Sequence, residues 1–403
     1  MTTSHEITPA AEKCGPHDPD LLSSCVHCGL CLEVCPTYKL SGDENNSPRG
    51  RLRLWREESE GKLQPDSWTD FYTAECVGCL ACESACPANV PYGEIFEQVR
   101  HQHVMAGRAR PGFLLRAAAA LAARQALFNL AMLPVRLLRR AGLLPHRFLF
   151  PGQPAAIQST AEYARRLIQQ RQPTGPRVAF LTGCLMESLF REINFATVRV
   201  LVENNIQVVI PPEQGCCGAF QEHTGMAGIE ALRDQNRRAF EKRPVEAVVC
   251  NSSGCGLALG KSLTGLPVKD VLSFLGELGP VSRSRRDAAA RVYVDLPCHL
   301  VHGQKVAGIP ANVLDATGYH WEFAPQARDC CGSGGVYNIQ KPENSREILA
   351  RKSAFLNEAA GDPVILATSN HVCMMQWHSA RKGLVQRPYE VKHVIQLLDP
   401  GES

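Results

Sequence analysis

Two short cysteine runs near the start of the chain constrain its fold more than any other feature. Residues 25–36 and 76–87 both read C-x2-C-x2-C-x3-C-P. Three thiolates spaced in this way on a tight loop can bind three irons of one cubane [4Fe–4S] cluster, while the fourth cysteine points away from it. The spacing therefore predicts that the two runs lie side by side around two clusters.

The fourth cysteine of each run is expected to bind the cluster of the other run. The predicted ligands are Cys25, Cys28, Cys31 and Cys86 for the first cluster, and Cys76, Cys79, Cys82 and Cys35 for the second. Zinc is the alternative, because C-x2-C pairs also bind zinc. Zinc leaves the third cysteine and the proline of each run without a role, so iron–sulfur is favoured. His27 lies inside the first run, and we interpret it as an exposed loop residue and not as a ligand.

The composition is that of a globular chain in a reducing compartment. The 403 residues are 44% hydrophobic and 21% charged, which excludes disorder or a coiled coil as a description of the whole chain. The first ten residues lack the basic start and apolar run of a secretory signal, so the cytoplasm is the expected location. There, clustered thiols are more typical of metal binding or redox chemistry than of disulfides.

Basic charge is concentrated in one segment. Residues 98–161 contain nine arginines and no Asp or Glu, in a chain whose formal net charge is only +3. Leucine and alanine fill the spaces between the arginines, which predicts one or two basic amphipathic helices broken at Pro134 and Pro145.

Three interpretations of this Arg-rich segment remain open. It is a helical linker docked on its own domains, an attachment to an anionic membrane surface, or a partner surface. A membrane span is not expected, because Arg116, Arg124 and Asn129 interrupt the apolar run. Nucleic acid is the least favoured partner, because aromatic residues are not interleaved with the arginines.

After about residue 173 the sequence alternates between short β-rich runs and helical patterns, and this order occurs twice. The predicted strands are 177–183, 206–212 and 247–253, then 291–297, 319–325 and 363–369. The predicted helices are about 187–204 and 226–242, then 304–317 and 344–360. This pattern predicts two repeated α/β lobes with mainly parallel sheets, so the fold class is α/β overall with a helical two-cluster N-terminal domain.

The two repeats carry cysteines at matching positions, each near the end of a strand. They are Cys184, Cys216, Cys217 and Cys255 in the first repeat, and Cys298, Cys330, Cys331 and Cys373 in the second. Adjacent cysteines can bind adjoining metals of a cluster, so the lobes are predicted to hold one further iron–sulfur cluster, or one each. Right-handed parallel crossovers would bring these cysteines to one edge of each sheet. Gly218 and Gly332 are expected to let the backbone approach a cluster.

Together these motifs resemble the iron–sulfur subunit of glycolate oxidase, within the wider set of proteins with two cysteine-rich CCG domains. The resemblance covers essentially the whole chain and rests on CVHCGLCLEVCPTYKLSGDENNSPRGR, CVGCLACESACPANVPY, GCCGAF, NSSGCG and DCCGSGG. It implies FAD-binding partner subunits that oxidise a 2-hydroxy acid, and onward transfer of electrons to a membrane quinone. We divide the chain into a ferredoxin-type domain (1–98), the Arg-rich segment (99–172) and two CCG domains (173–280 and 281–403).

One departure from the related heterodisulfide reductases affects the expected chemistry. Their CCG motif ends in C-x2-C, which supplies five cysteines for a noncubane cluster, whereas Ser252 and Asn370 occupy the first position of that ending here. Four cysteines suit an ordinary cubane. Cys250 has no counterpart in the second repeat, where Thr368 occupies its position, and we interpret Cys250 and Cys14 as non-ligands.

The sequence thus favours an electron-transfer subunit in the cytoplasm, at the inner face of the cell membrane, with no substrate chemistry of its own. No Gly-rich dinucleotide fingerprint follows a strand and opens a helix. Two alternatives remain. One is a catalytic subunit that resembles heterodisulfide reductase and acts on disulfides or bound sulfur. The other is a membrane-anchoring subunit that resembles the one in anaerobic glycerol-3-phosphate dehydrogenase.

Overall fold

The computed structural model describes residues 19–143, 157–279 and 288–401. Its N-terminal part is helical and two α/β lobes follow it, so the predicted fold class is confirmed. Cys14, Pro145 and the predicted boundary at 280/281 lie outside the described residues.

The described N-terminal part has six α-helices and a 3-10 turn, Glu44–Asn46. The α-helices are α1 (Pro19–Ser23), α2 (Pro36–Ser41), α3 (Pro48–Ser59), α4 (Ser67–Ala74), α5 (Ala81–Ser84) and α6 (Tyr92–Met105). The cysteines lie in the loops between these α-helices except Cys82, which lies in α5. Helices α2 and α3 each begin with proline, because the first N–H of a helix has no helical acceptor. Trp55, Tyr92 and Phe96 pack ring against ring in the core of this domain. Helix α6 crosses the predicted domain boundary at 98/99.

The Arg-rich segment forms more helices than the sequence predicts. They are α7 (Phe113–Ala123), α8 (Gln125–Ala131), α9 (Leu133–Arg140) and α10 (Thr160–Arg171). The chain breaks at Arg124 and Met132 and not at Pro134, since Pro134 lies in the first turn of α9, where proline is tolerated. Between α7 and the helical stretch that follows it, Gln125–Leu138, the helix axis bends by 114°. Within the described ranges no single helix is long and apolar enough to cross a membrane.

The first lobe alternates strands and helices around a parallel sheet with strand order β2-β1-β3-β4. Its elements are β1 (Arg177–Leu181), α11 (Cys184–Leu189), α12 (Arg191–Glu203), β2 (Gln207–Val209), α13 (Ala219–Thr224), α14 (Ile229–Phe240), β3 (Ala247–Cys250), α15 (Ser253–Gly260), β4 (Val268–Asp270) and α16 (Val271–Glu277).

The second lobe repeats this order, with a parallel sheet of order β6-β5-β7-β8. Its elements are β5 (Ala288–Asp295), α17 (Ala311–Asp315), β6 (Tyr319–Phe323), α18 (Tyr337–Gln340), α19 (Pro342–Ser353), β7 (Val364–Thr368), α20 (His371–Ala380), β8 (Glu390–His393) and α21 (Val394–Leu398). A π-helical turn, His299–Gly303, follows β5, and a 3-10 turn, Ala354–Asn357, follows α19.

All six predicted strands are confirmed, and each sheet has a fourth strand that the sequence did not predict. Strands β4 and β8 are as short as β2 and β3, but they contain charged residues and so show no apolar β-rich run. The helix predicted at 304–317 was wrong in extent. Only Ala311–Asp315 is helical there, because Pro310 lacks an N–H and blocks a helix that would run through it.

A buried ion pair lies under the sheet of the second lobe. Lys352 Nζ lies 2.5 Å from Asp295 Oδ1, and both side chains are almost fully buried. Trp377 Nε1 and Thr368 Oγ1 donate to the other carboxylate oxygen of Asp295, at 2.9 and 3.1 Å. The carboxylate at the end of β5 therefore joins α19, α20 and β7.

We expect Asp295→Asn to destabilise the protein by about 3–5 kcal/mol, because it leaves the Lys352 ammonium buried without a counter-charge. Glu322→Gln is the control, since it breaks the exposed 2.9 Å pair with Arg291, for which we expect about 1 kcal/mol or less. The free energy of unfolding from anaerobic denaturant titration checks both values. Equal losses in the two variants would contradict this account.

Candidate metal centres

The first predicted ligand set lines one groove of the N-terminal domain. Cys25, Cys28, Cys31 and Cys86 all lie in its wall, together with Cys82. The Cys28 thiol is exposed, and the other three predicted ligands are half-buried. The structure thus brings Cys86 of the second run to the cysteines of the first run. Binding of a cluster by these four residues stays a prediction.

The loop around this groove is held by left-handed backbone and one arginine. His27 and Gly29 have φ values of 54° and 88°, and Arg49 Nη1 donates to the carbonyl of His27 at 2.9 Å. A Cβ at Gly29 would lie 2.8 Å from Arg49 Nη1, so the close approach favours glycine. His27 is half-buried, which corrects the expectation of an exposed residue. Burial, then the charges of Arg56 and Arg49, lower its pKa.

The second predicted ligand set is buried. Burial raises the pKa of the Cys82 thiol well above its usual value, and the neighbouring sulfurs of Cys79, Cys76 and Cys35 raise it further. Cys35 of the first run therefore lies with the cysteines of the second run. Tyr92 Oη donates to Cys76 Sγ at 3.5 Å. The exchanged positions of Cys35 and Cys86 are those that the predicted pair of clusters needs.

In the first lobe the repeated cysteines meet at one edge of the sheet. Cys184 opens α11 after β1, Cys216 and Cys217 follow β2, and Cys255 lies in the first turn of α15 after β3. The Sγ atoms of Cys184 and Cys216 are 3.6 Å apart, and Cys217 contacts both Cys216 and Cys255. The thiol contacts from Cys184 and Cys217 lower the pKa of Cys216 well below its usual value.

The second lobe repeats this arrangement. The Sγ atoms of Cys331 and Cys373 are 3.5 Å apart, and Cys330 contacts Cys298 and Cys331. Contacts with Cys330 and Cys373 lower the pKa of Cys331, and the nearby ammonium of Lys352 lowers it further. Sequence reasoning missed Lys352. On the matching helix of the first lobe, the corresponding residue is Arg238, which is exposed to solvent whereas Lys352 is buried.

The predicted glycines lie where the backbone turns toward sulfur. Gly218 and Gly332 have φ values of 89° and 82°, which favour glycine. Gly332 donates its N–H to Cys330 Sγ at 3.3 Å, and Gly218 donates toward Cys216. A Cβ at Gly332 would lie 2.7 Å from the carbonyl oxygen of Ser345. Both glycines thus aim backbone N–H groups at cysteine sulfur, and their approach to a cluster stays a prediction.

The donor chemistry fits iron–sulfur clusters. N–H groups aimed at sulfur are the interactions by which a protein tunes such clusters, and Gly78 donates to Cys76 Sγ at 3.4 Å in the same way as Gly332 does in the second lobe. Among the described residues, no three His, Cys, Asp or Glu side chains converge closely enough to hold a single metal ion.

One contact joins the N-terminal domain to the second lobe at sulfur. Cys79 hydrogen-bonds with Cys330, and both side chains are buried. Around this contact, His299 Nε2 donates to the carbonyl of Gly78 at 3.0 Å. The sequence could not show this contact, because the two cysteines belong to different domains and no motif spans them.

A polar contact joins the two lobes at the positions where each repeat lacks its fifth cysteine. Ser252 Oγ donates to Asn370 Oδ1 at 3.0 Å, and both side chains are buried. Asn370 Nδ2 donates to Cys373 Sγ at 3.4 Å, and Ser252 hydrogen-bonds with Cys255. These two side chains thus lie between the cysteine groups of the two lobes.

Cys250, interpreted as a non-ligand, ends β3 in the core of the first lobe. Burial raises its pKa well above the usual value, and Cys255 and Asp270 add to the shift. Its assignment as a non-ligand stays a prediction.

Comparison with known proteins matches two kinds of domain to the chain. Residues 21–90 match a 4Fe-4S dicluster domain, and residues 178–260 and 293–377 match a cysteine-rich domain. The chain is 32% identical to the probable glycolate oxidase iron-sulfur subunit of Bacillus subtilis (strain 168) and 30% identical to the glycolate oxidase iron-sulfur subunit of Escherichia coli (strain K12). Each match covers 94% of both chains.

A more distant relative carries the name of a different activity. The chain is 24% identical to one subunit of the dihydromethanophenazine:CoB--CoM heterodisulfide reductase of Methanosarcina barkeri (strain Fusaro), over 80% of each chain.

Fold and cysteine groups therefore define an iron–sulfur protein, with a dicluster domain and two cysteine-rich lobes, that is a component of an oxidoreductase. The chain belongs to the family of glycolate oxidase iron–sulfur subunits. The predicted iron–sulfur cofactors of the N-terminal domain are confirmed at the level of the domain.

We expect Cys79→Ser to remove about four of the irons of anaerobically prepared protein, because each four-cysteine cubane holds four irons. One low-potential EPR signal should disappear while most of the other N-terminal signal remains. Cys250→Ser is the matched control, a buried cysteine outside the predicted ligand sets, and should keep its iron. Stoichiometric zinc, with no EPR signal after dithionite reduction, would contradict the assignment.

Proposed function

We propose that the protein is the electron-transfer iron–sulfur subunit of a flavin-dependent 2-hydroxy acid dehydrogenase complex of the glycolate type. FAD subunits oxidise the acid and pass electrons to this chain, which passes them toward a membrane quinone. The contact between Cys79 and Cys330 supports the proposal most strongly. It joins the dicluster domain and the second lobe into one array of sulfur, which an electron carrier needs and a scaffold does not.

The exposed edge of the dicluster domain is suited to receive electrons from a partner subunit. Cys28 is exposed there, and the apolar side chains of Val26 and Leu30 flank it at 68% and 56% exposure. An apolar rim around a solvent-accessible cluster edge is typical of a protein interface. The FAD subunit is proposed to bind at this edge.

One observation favours the alternative of heterodisulfide chemistry. Cys79 brings a fifth thiol to the four cysteines of the second lobe, and a noncubane cluster uses five. Against this, Cys79 also lies with Cys76, Cys82 and Cys35 and is needed there to complete a cubane. In the first lobe the nearby fifth thiol is Cys250, which lies in the same buried cluster as the four repeated cysteines and which we interpret as a non-ligand. Electron transfer through cubane clusters therefore remains the favoured function.

The location proposed for the complex is the cytoplasm, at the inner face of the cell membrane. A quinone is apolar and dissolved in lipid, so an electron carrier that delivers electrons to it has to reach the bilayer surface.

We expect the isolated protein to show no turnover with disulfides or with 2-hydroxy acids, since on this proposal the substrate site belongs to the FAD subunits. Adding the FAD subunits should restore hydroxy-acid oxidation coupled to a quinone analogue. Cys217→Ala or Cys331→Ala should abolish this coupling and leave reduction of the flavin by substrate intact, whereas Cys250→Ala should couple normally. Stopped-flow absorbance of flavin and quinone separates the two steps.

Two results would overturn the proposal in favour of the catalytic alternative. One is steady disulfide reduction by this chain alone. The other is a spectroscopic noncubane signature in either lobe.

A further inference from the structure

Helices α7 and α8 cover the cysteine group of the first lobe. Ala122 and Phe128 pack in the same buried cluster as Cys184 and the other three repeated cysteines of that lobe. Gln125 Nε2 donates to the carbonyl of Gly183 at 3.3 Å, directly before Cys184. The inner face of this helix pair is therefore fixed on the first-lobe cysteines.

A second hydrogen bond holds the end of the same helix pair. Ser188 Oγ, at the end of α11, donates to Asn129 Oδ1 at 2.6 Å. Gly183 directly precedes Cys184, and Ser188 lies on α11, the helix that begins at Cys184. Both hydrogen bonds therefore hold the helix pair next to the first-lobe cysteines. The pair is part of the first lobe's structure and not a free linker.

The outer face of the pair is apolar and positively charged. Phe113 and Leu114 are 80% and 82% exposed, and Leu130 is 65% exposed. Arg116 on α7 and Arg124 at the break between α7 and α8 are exposed, and residues 98–161 contain no Asp or Glu to neutralise them. Exposed apolar side chains next to arginine are the pattern of a helix that lies in the interface of an anionic bilayer.

Contacts near sulfur connect the cysteine groups. Cys79 contacts the second lobe at Cys330, and the second lobe contacts the first through Asn370 and Ser252. The dicluster domain also packs on the first lobe directly, through helix α6. The first-lobe cysteines lie under α7 and α8, whereas exposed Cys28 lies at the dicluster end of this connected array.

We propose that the first lobe is where electrons leave the protein, and that α7 and α8 lie between its cysteines and an anionic lipid bilayer that holds the acceptor. The inference rests on the proposed function. The acceptor is an apolar carrier of the quinone class, dissolved in that bilayer. Its reduction to the quinol takes two electrons, delivered one after the other from the first-lobe cluster, and two protons from water at the bilayer surface. The electrons come from the flavin reduced by the hydroxy acid.

The experiment uses the full chain, prepared anaerobically and reduced, with vesicles of phosphatidylglycerol and phosphatidylcholine that contain nitroxide-labelled lipid. A nitroxide speeds the electron-spin relaxation of clusters near it. The first-lobe signal is identified as the one that Cys255→Ala removes. Power saturation then reports how close each cluster lies to the lipid, without any turnover.

We expect the nitroxide lipid to speed relaxation of the first-lobe signal more than that of the N-terminal signals. Leu114→Ser and Leu130→Ser should each weaken vesicle binding about tenfold, since a buried leucine contributes that much or more. Together they should abolish the relaxation effect. Ile339→Ser is the matched control, because Ile339 is a similarly exposed apolar residue, at 67%, on α18 of the second lobe. It should bind vesicles normally.

Three results would overturn the inference. Unchanged vesicle binding in the double variant would make the helix face a surface for a protein partner. A stronger effect on the N-terminal signals would place the opposite end of the array at the lipid. Absence of any first-lobe cluster would remove the proposed exit, whereas failure of hydroxy-acid coupling in the reconstituted complex would count against the proposed function itself.

Discussion

Parallel strand pairing in each lobe is the constraint on which the rest of the structure depends. In a parallel sheet the carboxyl ends of neighbouring strands meet at one edge, so β1, β2 and β3 deliver their cysteines to a single place although the residues are far apart in sequence. Strands β5, β6 and β7 do the same in the second lobe. The fold therefore brings the thiols together in two buried groups. Cys79 can meet Cys330 because that edge of the second lobe faces the dicluster domain.

Several contacts besides the one between Cys79 and Cys330 hold the dicluster domain against the second lobe. Lys341 pairs with Glu75, and Asn344 donates to the same carboxylate at 2.6 Å. Gly334 lies against the backbone of Val77, where an added Cβ would come within 2.6 Å of the carbonyl oxygen. Because glycine has no side chain, the two backbones can approach each other closely at this point. The dicluster domain also contacts the first lobe, through the ion pair of Glu97 with Lys261. The first lobe is the one whose cysteines lie under α7 and α8, so the two similar lobes have different proposed roles.

Sequence reasoning succeeded where a local pattern of residues determines the structure. The cysteine runs, the six predicted strands and the paired cysteines of each repeat all have a local pattern that physical chemistry restricts. Sequence reasoning failed where the local pattern is weak or the determinant is non-local. Strands β4 and β8 are short and contain charged residues, so they show no apolar β-rich run. The bend at Arg124 falls at a residue without helix-breaking chemistry. The meeting of Cys79 with Cys330, and of Ser252 with Asn370, depends on how whole domains pack.

The central claim is that electrons pass from the dicluster domain into the second lobe across the Cys79–Cys330 contact. The most direct test is the magnetic interaction between the two adjacent clusters in the fully reduced protein, measured as splitting or broadening of their EPR signals. The account predicts a strong interaction that Gly334→Ala weakens with all clusters retained. Gly383→Ala should leave the interaction intact, because Gly383 also has a left-handed φ but its nearest neighbour is Arg346 Nη2 at 3.7 Å. Magnetically independent clusters in the unaltered protein would contradict the claim.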